Sequence, residues 1–275
     1  LAETLEKELG EKWEKEMYAL NEQAPTVLRA NTLRTTTKEL ISDLSDENVV
    51  SYPIRNYPDA VQLEEKKNVF LTTAFKEGLF EVQDASSQKI GYFLDVKEGQ
   101  RVVDACAGAG GKTLHLAALM QNKGQIIALD IFDWKLAELK RRAKRAGAHN
   151  IETRVITDTK VIKRLHEKAD RLLIDAPCSG LGVLKRNPDS KWKIDQDFID
   201  RIKKEQQQII QDYSKMLKVG GKMVYATCSI LPSENNEQVA EFIKNNPNFK
   251  FIKDEKVMPS EGYDGFYMAL IERVS

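Results

Sequence analysis

Two of the three cysteines stand in short, similar settings: Cys178 in DAPCSG (175–180) and Cys228 in MVYATCS (223–229). Each follows an apolar, β-rich run. RLLID (171–175) ends on an acid, and Pro177 with Gly180 then forces a turn. A thiol just beyond a strand end can serve as a covalent nucleophile once deprotonated. Upstream, DACAGAGGKT (104–113) is a glycine loop, and further acids stand at Asp130 and Asp158. Loops of this composition let a backbone approach a nucleotide or nucleoside closely.

These residues need elements to position them. From residue 100 strand-like and helix-like segments alternate: QRVVDA (100–105), KTLHLAALMQ (112–121), QIIALD (125–130), WKLAELKRRAKRA (134–146) and IETRVIT (151–157). RLLID, a long polar helix over 196–217, KMVYATC, a helix over 233–246 and strands at 249–254 and 265–273 complete the series. The alternation predicts an α/β fold with a doubly wound parallel sheet, helices on both faces and ligands beyond the carboxyl ends of its strands. Ahead of it, residues 1–23 have helical spacing, with Leu5, Leu9, Trp13, Met17 and Leu20 near one face. Residues 25–75 mix extended pieces (26–33, 49–54, 60–64) with a helix (35–45), and 80–96 reads as a strand or turn followed by a helix. The expected division is a small α+β module over 1–78 and a catalytic domain over 79–275.

Three nucleotide-site readings compete for the loop. A P-loop has GKT at 111–113, but its leading glycine falls on Cys106. The dinucleotide fingerprint begins with Gly108 and Gly110 and then meets Thr113 in place of the third glycine. The remaining pattern, Asp104 followed by Gly108-Ala109-Gly110, suits a ligand without a pyrophosphate. Asp130 is placed to accept ribose hydroxyls and Asp158 to receive an adenine amino group. A nucleoside held by acids at successive strand ends describes S-adenosylmethionine. The plainer reading is a strand–helix turn with capping acids. A methyl donor in turn needs an activated acceptor. Carbon 5 of cytosine becomes nucleophilic after a thiolate adds to carbon 6, which accounts for a cysteine at the rim.

DACAGAGGKT, DAPCSG and ATCS, in this order and with these gaps, resemble the Sun/Fmu family of S-adenosylmethionine-dependent RNA cytosine carbon-5 methyltransferases. APTVLRANTL (24–33), FEVQDASSQ (80–88), VLKRNPDSKW (183–192) and DGFYMA (264–269) extend the likeness over nearly the whole chain. The resemblance implies a Rossmann-like methyltransferase sheet with a small N-terminal RNA-binding module. It implies that Cys228 attacks carbon 6, that Cys178 supports release, that Asp175 hydrogen-bonds the cytosine edge and that Lys112 lines the same pocket. It gives the cofactor Cys106, Ala107, Gly108, Ala109, Gly110, Gly111, Lys112, Asp130, Asp158 and Asp175. Ala109 departs from the proline usual in that loop, and the Cys106 thiol reads as a packed small group.

Lys+Arg and Asp+Glu balance at 42 each, so RNA contact must come from local patches rather than net charge. The loop KRNPDSKWK, with Lys185, Arg186 and Trp192, and the N-terminal Arg29 and Arg34 are the candidates. The basic helix at 135–147 reads as a solvated face on the flank, and the glutamate-rich first helix as no phosphate contact. The RNA is expected to be ribosomal rather than transfer RNA. Three cysteines and three histidines show no zinc spacing and no disulfide framework, so no metal and a reducing cytoplasm are expected. No apolar run spans a bilayer, and a monomer is expected. The chain opens at Leu1 rather than methionine, which points to an absent N-terminal part. The rival readings are a catalytically inactive RNA-binding assembly factor, a nicotinamide oxidoreductase lacking an evident hydride site, and a DNA methyltransferase that would leave the TCS cysteine idle.

Overall fold

The computed structural model describes residues 2–275. In chain order the elements are α1 (Ala2–Leu9), α2 (Trp13–Leu20), β1 (Val27–Ala30), α3 (Thr37–Asp46), β2 (Ser51–Ile54), β3 (Tyr57–Leu63), α4 (Thr73–Lys76), β4 (Phe80–Val82) and α5 (Ala85–Leu94). There follow β5 (Arg101–Asp104), α6 (Gly111–Leu119), β6 (Gln125–Asp130), α7 (Asp133–Ala146), β7 (Ile151–Val155), α8 (Thr159–Lys163) and β8 (Ala169–Asp175). The chain ends with α9 (Gln196–Tyr213), β9 (Leu217–Thr227), α10 (Asn236–Asn245), β10 (Phe249–Val257) and β11 (Phe266–Arg273). The architecture is α/β, with a seven-strand Rossmann-like sheet and a separate four-strand sheet near the N-terminus. Two compact units divide the chain: Pro25–Val161 is one, and α1, α2 and everything from Ile162 onward form the other.

Within Pro25–Val161, the four-strand sheet is antiparallel in the order β2-β3-β1-β4. Its apolar face closes over α3 and α4 through Leu28, Leu40, Leu44, Val61 and Phe80, all essentially excluded from solvent. The start of α3 is fixed by a capping box between Thr36 and Glu39, a feature that stabilises a helix by about 1 kcal/mol. Strands β5, β6 and β7 pair in parallel; the apolar residues of β5 and β6 are buried, as expected for strands covered on both faces, while Ile151 and Val155 of the edge strand β7 are half-buried.

In the other unit β8 and β9 pair in parallel, whereas β11 pairs antiparallel with both β9 and β10. The doubly wound parallel sheet read from the alternation holds for β5 to β9, and β10 and β11 extend it with antiparallel pairing. Residues 258–265 lead β10 back into β11 through a short 3₁₀ turn with no crossover helix, and such a return must be antiparallel. The expected single helix over 1–23 is corrected: Gly10 takes a left-handed conformation (φ +57) in a 3₁₀ turn that separates α1 from α2. Its first residue, Leu1, lies outside the described residues. Glu8 accepts the Ser233 hydroxyl at 2.7 Å and Glu16 accepts the Ser260 hydroxyl at 2.7 Å, so two of the N-terminal glutamates are anchors. Leu5 and Leu20 from these helices bury against Leu181, Leu184, Ile230 and Leu231, the residues that flank the two cysteine motifs.

Candidate active site

One candidate site is built on β8 and β9. Parallel pairing sets Asp175 opposite Ala226, so both strands end at one level and DAPCSG and TCS leave side by side. Cys178 and Cys228 are free thiols, each half-buried, with their sulfurs 3.2 Å apart. Gly182 N–H donates to the Cys228 carbonyl at 2.9 Å, and Gly265 N–H donates to the Gly182 carbonyl at 2.8 Å. A Cβ on Gly182 would stand 2.2 Å from the Gly265 carbonyl oxygen, so only glycine permits this approach. The hydrogen bond with Cys228 holds the Cys178 thiol well above its ordinary pKa, and burial and the negative charge available at Cys228 and Glu234 add to the shift.

Beneath the cysteines lies a buried carboxylate. Glu234, fully excluded from solvent, accepts Ser179 N–H at 2.8 Å, the Ser229 hydroxyl at 2.6 Å, the Gln206 amide at 2.9 Å and the Ser179 hydroxyl. Gln206, from α9, also donates to the Pro177 carbonyl at 2.8 Å. Asp175 is half-buried at the end of β8.

In the other unit lies a second candidate site, the loop between β5 and α6. Gly108 (φ +54) has open space where a Cβ would be, whereas a Cβ on Gly110 (φ +90) would run into Leu139 at 2.4 Å. The first glycine leaves a cradle on the loop and the second lets α7 close underneath it. Three side chains pin the loop: Asp130 accepts Gly108 N–H at 2.8 Å, Arg142 donates to the Ala109 carbonyl at 2.8 Å, and Arg29 donates to the Gly111 carbonyl at 2.6 Å. Thr113, the residue that breaks the dinucleotide fingerprint, donates its hydroxyl to the buried Asp104 at 2.7 Å. Gly108 thus leaves open space on the loop beside the Asp130 carboxylate at the next strand end.

The residues foreseen from the sequence divide as follows. Cys178, Cys228 and Asp175 share the ends of β8 and β9. Cys106, Gly108, Ala109, Gly111 and Lys112 are half-buried in the glycine loop, with Ala107 and Gly110 buried. Asp130 is buried against that loop, while Asp158 is exposed and accepts Lys160 N–H at 2.7 Å at the start of α8. Trp192 is 88% exposed and Arg34 is exposed, donating to the Ala146 carbonyl at 3.1 Å. Lys185 donates to the Pro259 carbonyl at 3.0 Å and Arg186 pairs with the buried Asp264 at 2.6 Å.

Arg29 requires a correction. It is 2% exposed, bonded to Gln83 as well as to Gly111, and burial pulls its pKa down to about 10, so it supports the loop from inside and presents nothing to RNA. The basic helix α7 is corrected in part. Arg142 and Arg145 both pair with Glu81, at 2.9 and 2.5 Å, and Arg145 lies over the Phe75 ring at 3.9 Å, so these two are packed rather than solvated. Glu234, Gln206, Glu81 and Arg142 were not singled out beforehand. Glu234 gave only the signal of an acid ahead of a helix. Among the described residues no cluster of metal-ligating side chains occurs, and no helix is long and apolar enough to cross a membrane.

Residues 91–271 match the family model for 16S rRNA methyltransferase RsmB/F, and residues 1–70 match that for the RsmF/B-like ferredoxin-like domain. Ribosomal RNA small subunit methyltransferase B of Proteus mirabilis is 33% identical over 96% of this chain and 62% of its own length. The chain spans about three fifths of the length of the curated relatives it matches. Among solved structures, PH0851 superposes with a TM-score of 0.94 at 31% identity, covering 98% of this chain and 65% of that one. NSun6 from Pyrococcus horikoshii with SFG, at 22% identity, shares the fold with a TM-score of 0.91 over 100% of this chain and 98% of its own. The fold, the glycine loop and the paired cysteine motifs thus agree with a match covering most of the chain: it belongs to the RsmB/F family of 16S rRNA methyltransferases.

Proposed function

We propose that this chain methylates carbon 5 of a cytosine in ribosomal RNA, with S-adenosylmethionine as donor and a covalent Cys228 adduct as intermediate. The observation that carries the reading is the contact between the Cys178 and Cys228 sulfurs, since this chemistry uses one thiol to attack and a second group to assist release. The cofactor assignment is supported by the Gly108 cradle, by Asp130 beside it, and by a fold relative solved with SFG, an S-adenosylmethionine analogue. Gly108, Gly111, Lys112 and Asp130 would hold the cofactor, which supplies an electrophilic methyl group when bound.

The chain's own residues account for the remaining steps. Cys228 adds to carbon 6 as a thiolate, with the Cys178 sulfur 3.2 Å away. Asp175 holds the cytosine edge. Once Cys228 is a thioether, its hydrogen bond and its charge no longer raise the Cys178 pKa, and both are among the causes that hold that pKa up. Cys178 is then easier to deprotonate, its proton passing to water, at the stage when the carbon-5 proton must leave. Taking that proton regenerates the carbon-5–carbon-6 double bond and expels the Cys228 thiolate. RNA is held by the 1–78 module with Arg34 and by the loop bearing Lys185, Arg186 and Trp192. The deciding experiment incubates the chain with unmethylated 16S rRNA and labelled cofactor, followed by bisulfite sequencing. One protected cytosine is expected, and label at any other base or atom would overturn the assignment.

A further inference from the structure

Each cysteine is followed by a serine, and both serines reach the same carboxylate. Ser179 offers its N–H and hydroxyl to Glu234, and Ser229 offers its hydroxyl at 2.6 Å. The two hydroxyls are also within 3.3 Å of each other. Gln206 adds a fourth donor to Glu234 while its amide also holds the Pro177 carbonyl, on the other side of Cys178. Asn235, the neighbour of Glu234, donates to the Ser229 carbonyl at 2.9 Å, and the Tyr225 hydroxyl donates to the Glu234 carbonyl at 2.9 Å. Glu234 has no cationic partner among these contacts. A buried carboxylate is costly unless its lone pairs are filled, and here donors from both cysteine loops fill them. The loops join residues 50 and 55 positions apart in the chain, so neither loop's own turn geometry sets the distance between the sulfurs.

We propose that Glu234 is a positioning residue: by bonding Ser179 and Ser229 together it holds the Cys178 and Cys228 sulfurs in contact. The inference rests on the reading of these cysteines as the reacting pair, but its test needs no RNA. Phenylarsine oxide condenses with two thiols to form two As–S bonds and release one water, and tight capture requires both sulfurs to be close together. Cys178→Ala and Cys228→Ala set the background of capture by a single thiol.

Glu234→Ala should weaken phenylarsine oxide binding by about tenfold, the scale of losing one buried charge-assisted hydrogen bond. Glu234→Gln should restore it. Its amide oxygen can face Ser179 N–H and Gln206, while the serine hydroxyls turn their lone pairs to its NH₂. Unchanged binding in a folded Glu234→Ala protein overturns the proposal, as does a Glu234→Gln protein as weak as Glu234→Ala. Should Glu234→Ala not fold, the double variant Ser179→Ala/Ser229→Ala decides by the same measurement, and parent-like affinity there overturns the clamp. A chain that shows these arsenical effects yet transfers no methyl group keeps the clamp and loses the methyltransferase reading. One that methylates cytosine without them does the reverse.

Discussion

The Gly108 N–H points at Asp130 Oδ2 at 2.8 Å, and Phe132 N–H occupies the other oxygen at 2.9 Å. Asp130 therefore shapes the glycine loop and still has lone-pair sites for ribose hydroxyls, since a carboxylate offers about four. Asp130→Ala is expected to weaken S-adenosylmethionine binding by about 1–3 kcal/mol, through lost charge-assisted bonds and a released loop. Calorimetry on the folded variant checks this, and unchanged affinity would remove Asp130 from the site.

A second prediction concerns acid stability. His115, 2% exposed, hydrogen-bonds Asp59 at 3.0 Å, and Asp59 also accepts the Tyr92 hydroxyl at 2.6 Å. Burial drives His115 down from 6.5 to about 4, against the pull of Asp59 in the other direction. The unfolded chain thus takes up a proton near pH 6.5 that the folded chain refuses until about pH 4. The associated stability is complete above pH 6.5 and is lost as pH falls toward 4, on the order of 3 kcal/mol. Hydrogen bonds from His115 and Tyr92 outweigh burial at Asp59 and hold its pKa below 3.8, so its share is lost at still lower pH. Urea melts from pH 7 to pH 4.5 should show the decline, and His115→Gln should flatten it. A parallel decline in both proteins would contradict the assignment.

Gly182→Ala tests the packing under the cysteine loops. Its Cβ would press on backbone oxygens of Gly265 at 2.2 Å and Cys228 at 2.7 Å, and neither is the end of a flexible side chain. A loss of roughly 1–3 kcal/mol is expected, as for other overpacked sites. Denaturant melts measure it, and a parent-like midpoint would show that this turn yields without cost.

Two kinds of RNA contact should separate by salt dependence. Lys185→Ala/Arg186→Ala should lower both affinity and the steepness of log K against log salt, by roughly one to two charges' worth. Trp192→Ala, which removes an 88% exposed ring, should cost about 1–3 kcal/mol with the slope unchanged. Filter binding across a salt series distinguishes them, and an unchanged slope for the double variant would assign Lys185 and Arg186 wholly to Pro259 and Asp264.

Much of this was legible in the sequence because it is local. Strand–helix alternation marked β5 to β9, and the cysteine motifs lay where strand ends put them. The direction of β11 was not legible: a strand buried on both faces reads as one continuous apolar run whichever way it points, as Phe266–Ile271 do. Gly10 gave no sign that it would adopt φ +57 within a helical pattern. The missed side chains act across distance. Glu234 meets Ser179 from 55 residues away, and Arg142 meets Glu81 from 61. Arg29 shows the limit most directly. An arginine in a basic-patch reading suits a phosphate or a buried carbonyl equally, and only its burial against Gly111 decides.

The central claim is that Cys228 attacks and Cys178 releases, and denaturing gel electrophoresis of the two cysteine variants with labelled RNA and cofactor tests it most directly. Cys178→Ala can add to cytosine and accept the methyl group but cannot readily eliminate, so it should accumulate an RNA–protein band that survives denaturation. Cys228→Ala should give neither band nor methylation. A trapped band with Cys228→Ala instead, or no band from either variant and no methyl transfer by the parent, would contradict the account.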